Sequence, residues 1–183
     1  MNELNELETA VAVDELASPV DDAPPEPDGP EAAEIPEPKV RILKVEACPS
    51  VSGRSLLTYH LGWRLPFAGM DGEADACIGP GELVLRLYRN TAKGMFCKDW
   101  LPWSDVDALL DSGAGITSGL LQRLYEGRSA NSGGFLLAVL KHEGLLQSQP
   151  ESLRTHERLD DAAFLRRVRD LVDAGVDMPL SSC

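Results

Sequence analysis

The alternation of apolar and polar residues changes its period once along the chain. Between residues 39 and 97, apolar side chains recur at nearly every second position in short runs bounded by Gly, Pro and Asn, which is typical of antiparallel strands. Strands are predicted at 40–46, 56–63, 76–78, 83–88 and 95–97. The turn residues at 49–54 join the first two as a β-hairpin. We therefore expect a small antiparallel sheet of three to five strands.

From residue 100 onward the period lengthens to that of a helix. A first helix is predicted to begin at Ser104, with Asp107 completing a capping box, and to stop at 113–115. Thr117 or Ser118 caps a second helix that ends at 126–127. A third covers 135–143, closed by Gly144.

The third helix is preceded by a polar turn in which Asn131 or Ser132 is the expected N-cap. Leu145 and Leu146 follow the helix as an extended apolar pair. The last helix is predicted over 160–174, with an apolar face opposite three arginines. The predicted fold is α+β: a β region at 39–103 and a helical region at 104–175, packed as one globular domain over 39–175.

The charge is concentrated in one segment. Residues 1–38 contain twelve acidic side chains, no Lys or Arg, and seven of the 13 prolines, so they carry −12 of the formal charge of −13. We predict that this tail is disordered, since it has little apolar surface to bury. Residues 39–183 hold 18 acidic and 17 basic side chains, so the low pI does not exclude an anionic partner for the folded part.

The acidic tail has three alternative roles. Leu4, Leu7 and Val11 recur at helical spacing, which suits a docking peptide that becomes helical on a partner. The same charge suits an electrostatic mask over a basic surface. The simplest alternative is a solvating tail that discourages aggregation. Residues 176–183 are predicted to be a C-terminal tail.

The sequence lacks signals for membranes and disulfides. No run approaches the roughly 18 to 20 apolar residues that span a membrane, and the N-terminus does not resemble a signal peptide. We expect a cytoplasmic protein with no membrane partner. Its four cysteines are widely spaced, which predicts reduced thiols rather than a disulfide framework.

Known catalytic and cofactor motifs are missing from the sequence. The glycines at 113–119 have one residue too many for a dinucleotide loop, and neither a Walker loop nor a nucleophile elbow occurs. The pairs His142-Glu143 and His156-Glu157 lack the second His of a zinc motif, which predicts surface residues. We expect that the protein is not an enzyme, binds no cofactor and has no metal site. A metal site would have to gather residues from separate strands, namely Cys48, His60, Cys77 or Cys97.

Aromatic residues near the predicted sheet have two interpretations. Aromatic rings on an exposed sheet face beside arginines stack single-stranded bases. Alternation favours the second interpretation, that these rings belong to the core between sheet and helices. The rings concerned are Tyr59, Trp63, Phe96, Trp100 and Trp103, with Arg54, Arg64, Arg86 and Arg89 nearby in sequence.

The most informative segment is 104–146, where three short helices are separated by tight polar turns. The third, with the apolar run 135–140, is followed by the residues Glu143-Gly144-Leu145-Leu146. This order resembles the winged helix-turn-helix superfamily, in which the third helix reads DNA and leads into the wing. The resemblance implies base or phosphate contacts by Arg128, Ser129, Asn131 and Ser132, flanked by Arg123, Lys141 and His142.

Charge balance argues for an alternative to DNA binding. Residues 120–175 hold eight basic and eight acidic side chains, whereas nucleic-acid binders concentrate positive charge. The alternative is a helical unit that only packs on the sheet. The leading functional hypothesis is a DNA-associated accessory or regulatory protein that uses 123–142 on double-stranded DNA. The second is a protein-interaction adaptor that uses the acidic tail or a sheet edge.

Overall fold

The computed structural model describes residues 39–65, 81–112 and 115–179. In these ranges the chain is α+β, which confirms the predicted fold class. The larger sheet is antiparallel, in the order β1-β2-β3-β4. Its strands are β1 (Val40–Pro49), β2 (Leu56–Arg64), β3 (Glu82–Asn90) and β4 (Leu101–Pro102).

The second half of the described chain contains the helices and a small sheet. The helices are α1 (Trp103–Leu110), α2 (Ser118–Gln122), α3 (Ser132–His142) and α4 (Ala162–Asp173). A turn of 3-10 helix, Arg123–Tyr125, extends α2. Two strands, β5 (Leu146–Gln149) and β6 (Ser152–Arg158), form an antiparallel hairpin.

The sheet confirms the predicted hairpin and corrects its last strand. β1 and β2 pair antiparallel around the turn after Pro49, as the turn residues predict. The strand predicted at 95–97 is wrong, because those residues form an irregular connection and the fourth strand is only Leu101–Pro102. The strand predicted at 76–78 and the disordered tail predicted at 1–38 lie outside the described residues.

Helix capping follows the sequence at one of three sites. Thr117 caps α2, since its Oγ1 accepts a hydrogen bond from Leu120 N at 3.1 Å. The predicted cap at Ser104 is wrong: α1 begins at Trp103 after Pro102, and Ser104 Oγ instead donates to Glu82. Asn131 occupies the cap position of α3 but makes no capping bond.

The core lies between one face of the larger sheet and α3. β2 is buried from Tyr59 to Trp63. The helices cover one of its faces, and the Trp100 ring covers part of the other. α3 is buried over most of its length, including Leu136 to Leu140. Its Gly133 permits close contact with α2, since a Cβ there would come within 2.6 Å of Gln122 N.

A single backbone bridge ties the β5–β6 hairpin to the loop before α2. Ile116 pairs with His156 of β6, with N–H···O distances of 2.8 and 3.0 Å. The order from residue 103 is therefore helix, bridging residue, two helices and a hairpin. Leu145 and Leu146, predicted to be extended and apolar, are buried, and Leu146 begins β5.

The last described residues contact the edge of the larger sheet. Met178 N donates to Ile42 O at 2.8 Å, and Ile42 N donates to Asp177 Oδ1 at 3.2 Å. Asp177 and Met178 of the predicted C-terminal tail are thus held against β1, while residues 180–183 lie outside the described ranges. No helix in the described part of the chain is long and apolar enough to cross a membrane.

Candidate nucleic-acid interface

Three of the residues predicted to contact nucleic acid instead form bonds to residues 95–99, which connect β3 to β4. Ser129 Oγ donates to Met95 O, and Asn131 Nδ2 donates to the same oxygen at 3.0 Å. Arg128 forms an ion pair with Asp99 at 2.5 Å and donates to Cys97 Sγ at 3.3 Å. These polar groups therefore hold the sheet connection to the start of α3.

Ser132 is not available to a ligand. Its side chain is 0% exposed, and its Oγ accepts a hydrogen bond from Cys97 N at 2.9 Å. The buried hydroxyl satisfies a buried backbone donor, which would otherwise cost free energy. The sequence-based assignment of Ser132 to a phosphate or base contact is corrected by this burial.

The remaining predicted contacts are separated along the surface. Lys141 and His142 lie at the far end of α3, about 15 Å from its start at 1.5 Å per residue. Lys141 Nζ donates to Ser148 Oγ in β5, and His142 Nε2 lies 3.1 Å from Glu46 Oε1 in β1. Arg123 is exposed on the 3-10 turn after α2. The structure thus brings together residues 128–131 but not the whole predicted set.

A groove of about 730 Å³ opens beside the start of α3. Its walls are the β1–β2 turn, the loop after β3, the beginning of α2 and residues 130–135. The groove carries Arg54 and Lys93, several hydroxyl and amide side chains, and no acidic residue among those described. The first turn of α3 also lacks an acidic residue. Residues 39–183 hold nearly equal numbers of acidic and basic side chains, so a groove with two basic side chains and no acidic one favours an anionic ligand.

A second groove of about 580 Å³ lies between β1 and α4 and is mostly apolar. At its base the buried Glu143 accepts hydrogen bonds from Tyr59 Oη and from Lys44 Nζ, and Arg167 lies 3.4 Å away. Burial tends to lower the pKa of Lys44, but its hydrogen bonds to Glu143 and Glu46 outweigh this and raise it. The prediction that Glu143 lies on the surface is wrong.

His156 is also buried, against prediction. Its Nδ1 lies 3.3 Å from Ile116 O, beside the backbone bridge, and its Nε2 is buried without a partner among the described residues. His156 therefore helps to hold the β5–β6 hairpin to Ile116 and does not lie on the surface. Within the described ranges, no three His, Cys, Asp or Glu side chains are grouped as metal ligands.

The aromatic residues divide between core and outer sheet face. Tyr59, Trp63 and Trp103 are buried in the core, as the alternation favours. Trp100 instead crosses the outer face over Gly62, where a Cβ would come within 2.9 Å of the indole. The arrangement leaves room for only glycine at position 62.

Arg86 occupies the centre of this outer face. Its guanidinium lies 4.4 Å from the Trp100 ring and 5.3 Å from the Tyr88 ring, and Nε donates to His60 Nδ1 at 3.1 Å. Burial, and then the Arg86 charge, lower the pKa of His60 from 6.5 to about 4. The face is therefore filled by its own stacked side chains.

Sequence reasoning missed Arg54 and Lys93 as members of one site. They are far apart in sequence, on two different connections of the sheet, and only the pairing of β1, β2 and β3 brings these turns to one end. Finding this pair would have required the register of all three strands.

Comparison with known proteins found no match: no family model, no curated protein and no solved structure matches this chain.

Proposed function

We propose that this protein is a DNA-associated accessory or regulatory protein that binds the phosphate backbone through the acid-free groove beside α3. The single observation that carries the proposal is the charge distribution: Arg54 and Lys93 face a groove with no described acidic residue. Phosphate contacts by Lys, Arg and backbone or side-chain donors supply most of the affinity in such complexes.

The order of elements supports the same surface. The described chain runs from α1 through α2 and α3 into the β5–β6 hairpin, and three helices followed by a wing is the order that the resemblance to winged helix-turn-helix proteins implies. Since most of α3 is buried against the sheet, its outward face offers little for reading bases. The contact surface therefore lies at the start of α3, where Ala130 and Asn131 line the groove.

In this proposal, contacts to the DNA phosphate backbone contribute more to binding than contacts to base edges. Arg128, Ser129 and Asn131 are held by the 95–99 connection, so direct base contacts would require those bonds to break. Binding to duplex is consequently expected to depend strongly on salt and weakly on sequence. Arg54 and Lys93 are expected to act on phosphates, with Arg123 and Arg128 at the margin.

The test is fluorescence anisotropy of a labelled DNA duplex titrated with the full chain at several salt concentrations. Replacing both Arg54 and Lys93 by Ala should weaken binding and should reduce the slope of log K against log salt by about 1.8, since each lost phosphate contact contributes about 0.9. The matched control is Arg166→Ala with Arg169→Ala, which removes the same charge from exposed positions on α4.

The control separates a local site from overall charge. Equal weakening by both double variants would mean that the groove is not the interface. An absence of duplex binding by the unaltered chain would overturn the proposal itself. Single-stranded DNA is measured in parallel, because tighter binding of the single strand would contradict the duplex assignment.

A protein-interaction adaptor is the second candidate, and one feature favours it. β1 is an edge strand of the larger sheet and borders the apolar groove, with Val45 37% exposed. At one end of this edge, the backbone of Ile42 already bonds to Met178 N and to the side chain of Asp177. An extended peptide with apolar residues at alternate positions would add a strand beside Val45.

Strand addition has its own test. The adaptor is supported if a defined partner binds the full chain and is lost from the variant Val45→Asp. The same partner should still bind Val51→Asp, a control in the exposed β1–β2 turn. Failure of DNA binding would strengthen this result. Equal retention by both variants would exclude the β1 edge.

A further inference from the structure

The apolar groove between β1 and α4 has the size and lining of a small-molecule site. Its volume of about 580 Å³ falls within the range of roughly 300–1,000 Å³ of such sites, which are mostly apolar with a few polar groups. The apolar part of its lining comes from β1, β2 and α4 and includes Leu43, Val45, Leu61, Phe164, Val168 and Leu171. An aliphatic chain in this groove would bury apolar surface against both the sheet and the helix.

A buried carboxylate at the base of the groove is already satisfied by protein groups. The Glu143 side chain is 3% exposed, and it accepts hydrogen bonds from Tyr59 Oη and from Lys44 Nζ, the latter at 2.8 Å. Lys44 also pairs with Glu46. Glu143 and Lys44 therefore make their shortest polar contacts within the protein, and neither is the first choice to hold a ligand.

Arg167 is the cation of the groove that has donors left for a ligand. Its Nη2 lies 3.4 Å from Glu143 Oε2 and from Glu143 O, and neither Nη1 nor Nε has a partner among the described residues. The Arg167 side chain is 55% exposed, and its guanidinium carbon lies 5.9 Å from the Phe164 ring centroid. A guanidinium with free donors binds a carboxylate through two parallel hydrogen bonds.

We propose that this groove binds a small aliphatic carboxylate, with its chain along the apolar lining and its head group held by Arg167. Charge complementarity selects an anion, because the unused donors belong to a cation while Glu143 is covered by its own donors. Asp170, exposed on the same helix, also lines the groove and opposes an anion. The site is separate from the DNA interface, since the two grooves share none of their described lining residues.

The test is isothermal titration calorimetry of the full chain with octanoate, decanoate and 1-decanol. Decanoate should bind roughly tenfold more tightly than octanoate, because two further CH₂ groups are buried. Decanol has the same chain without the charge and should bind at least fivefold more weakly than decanoate. An absence of decanoate binding, or equal affinities for decanoate and decanol, would overturn the proposal.

Substitutions on α4 locate the head group. Arg167→Gln should weaken decanoate binding at least fivefold, whereas Arg166→Gln, the same change at an exposed position outside the groove, should leave it unchanged. Asp170→Asn should tighten binding, because it removes the opposing charge from the lining. Equal affinities of the Arg167 and Arg166 variants would exclude Arg167 as the group that holds the carboxylate.

A second pair of variants tests the groove without altering the contacts of Glu143. Met178 lines the groove and is 40% exposed, so Met178→Asp would place a negative charge beside the ligand and should weaken decanoate binding at least fivefold. The matched control is Met95→Asp, at an 81% exposed position outside this groove. Equal affinities of these two variants would show that decanoate binds elsewhere. Duplex binding by the unaltered chain is measured separately, so its failure would overturn the proposed function and leave the decanoate result standing.

Discussion

Two neighbouring glycines in α3 have opposite structural roles. A Cβ on Gly133 would lie 2.6 and 2.7 Å from backbone atoms of Gln122, whereas a Cβ on Gly134 would meet nothing within 4 Å. Gly133→Ala should lower the free energy of unfolding by about 1–3 kcal/mol through overpacking. Gly134→Ala should raise it by about 1 kcal/mol through helix propensity. Urea denaturation followed by circular dichroism measures both, and effects of equal sign would contradict the close α2–α3 contact.

His60 makes stability depend on pH in a defined window. Its folded-state pKa of about 4 lies below the ordinary 6.5, so the unfolded chain binds a proton that the folded chain does not. Stability contributed by neutral His60 is complete above pH 6.5 and is lost as the pH falls toward 4. The slope approaches about 1.4 kcal/mol per pH unit.

The variant His60→Gln isolates this contribution. Denaturation between pH 7 and 4.5 should show the free energy of unfolding falling more steeply in the unaltered chain than in the variant. His142 and His156 are present in both proteins, so their contributions cancel in the difference. Parallel pH profiles would show that His60 is not held neutral against Arg86.

At the scale of elements, Arg158 joins β6 to two helices. It contacts Asp107 and Asp111 of α1 and its C-cap at 2.6 and 2.5 Å, and Asp161 before α4 at 2.6 Å. Arg158→Ala should cost about 1–2 kcal/mol, because each exposed pair contributes about 0.2–1 kcal/mol and three carboxylates are left together. The loss should shrink in high salt.

Arg154→Ala is the matched control on the same strand. The Arg154 side chain is exposed, so its removal should change the free energy of unfolding by less than about 0.5 kcal/mol. Thermal denaturation at low and high salt distinguishes the two variants. Equal losses would mean that Arg158 contributes no more than a surface charge.

At the scale of the whole molecule, local patterns predicted most elements but missed β4 and β6, and they did not indicate which segments pack together. The period of apolar residues located β1, β2, β3 and the helices, since that signal lies within each segment. The burial of Glu143 and His156 was not predictable, because Tyr59, Lys44 and Ile116 reach them from distant segments. The same reason explains the candidate site: residues 128–131 were found as a turn, whereas the opposing Arg54 and Lys93 depend on sheet register.

The contact of residues 177–178 with Ile42 has a consequence for the behaviour of the protein in concentrated solution. An unpaired strand edge is a template on which other chains add, and proteins commonly cover such edges. Met178 N and Asp177 Oδ1 occupy both backbone groups of Ile42. These two residues therefore prevent another chain from pairing with this end of β1. That end of the strand cannot template fibril-like growth for as long as they remain bound.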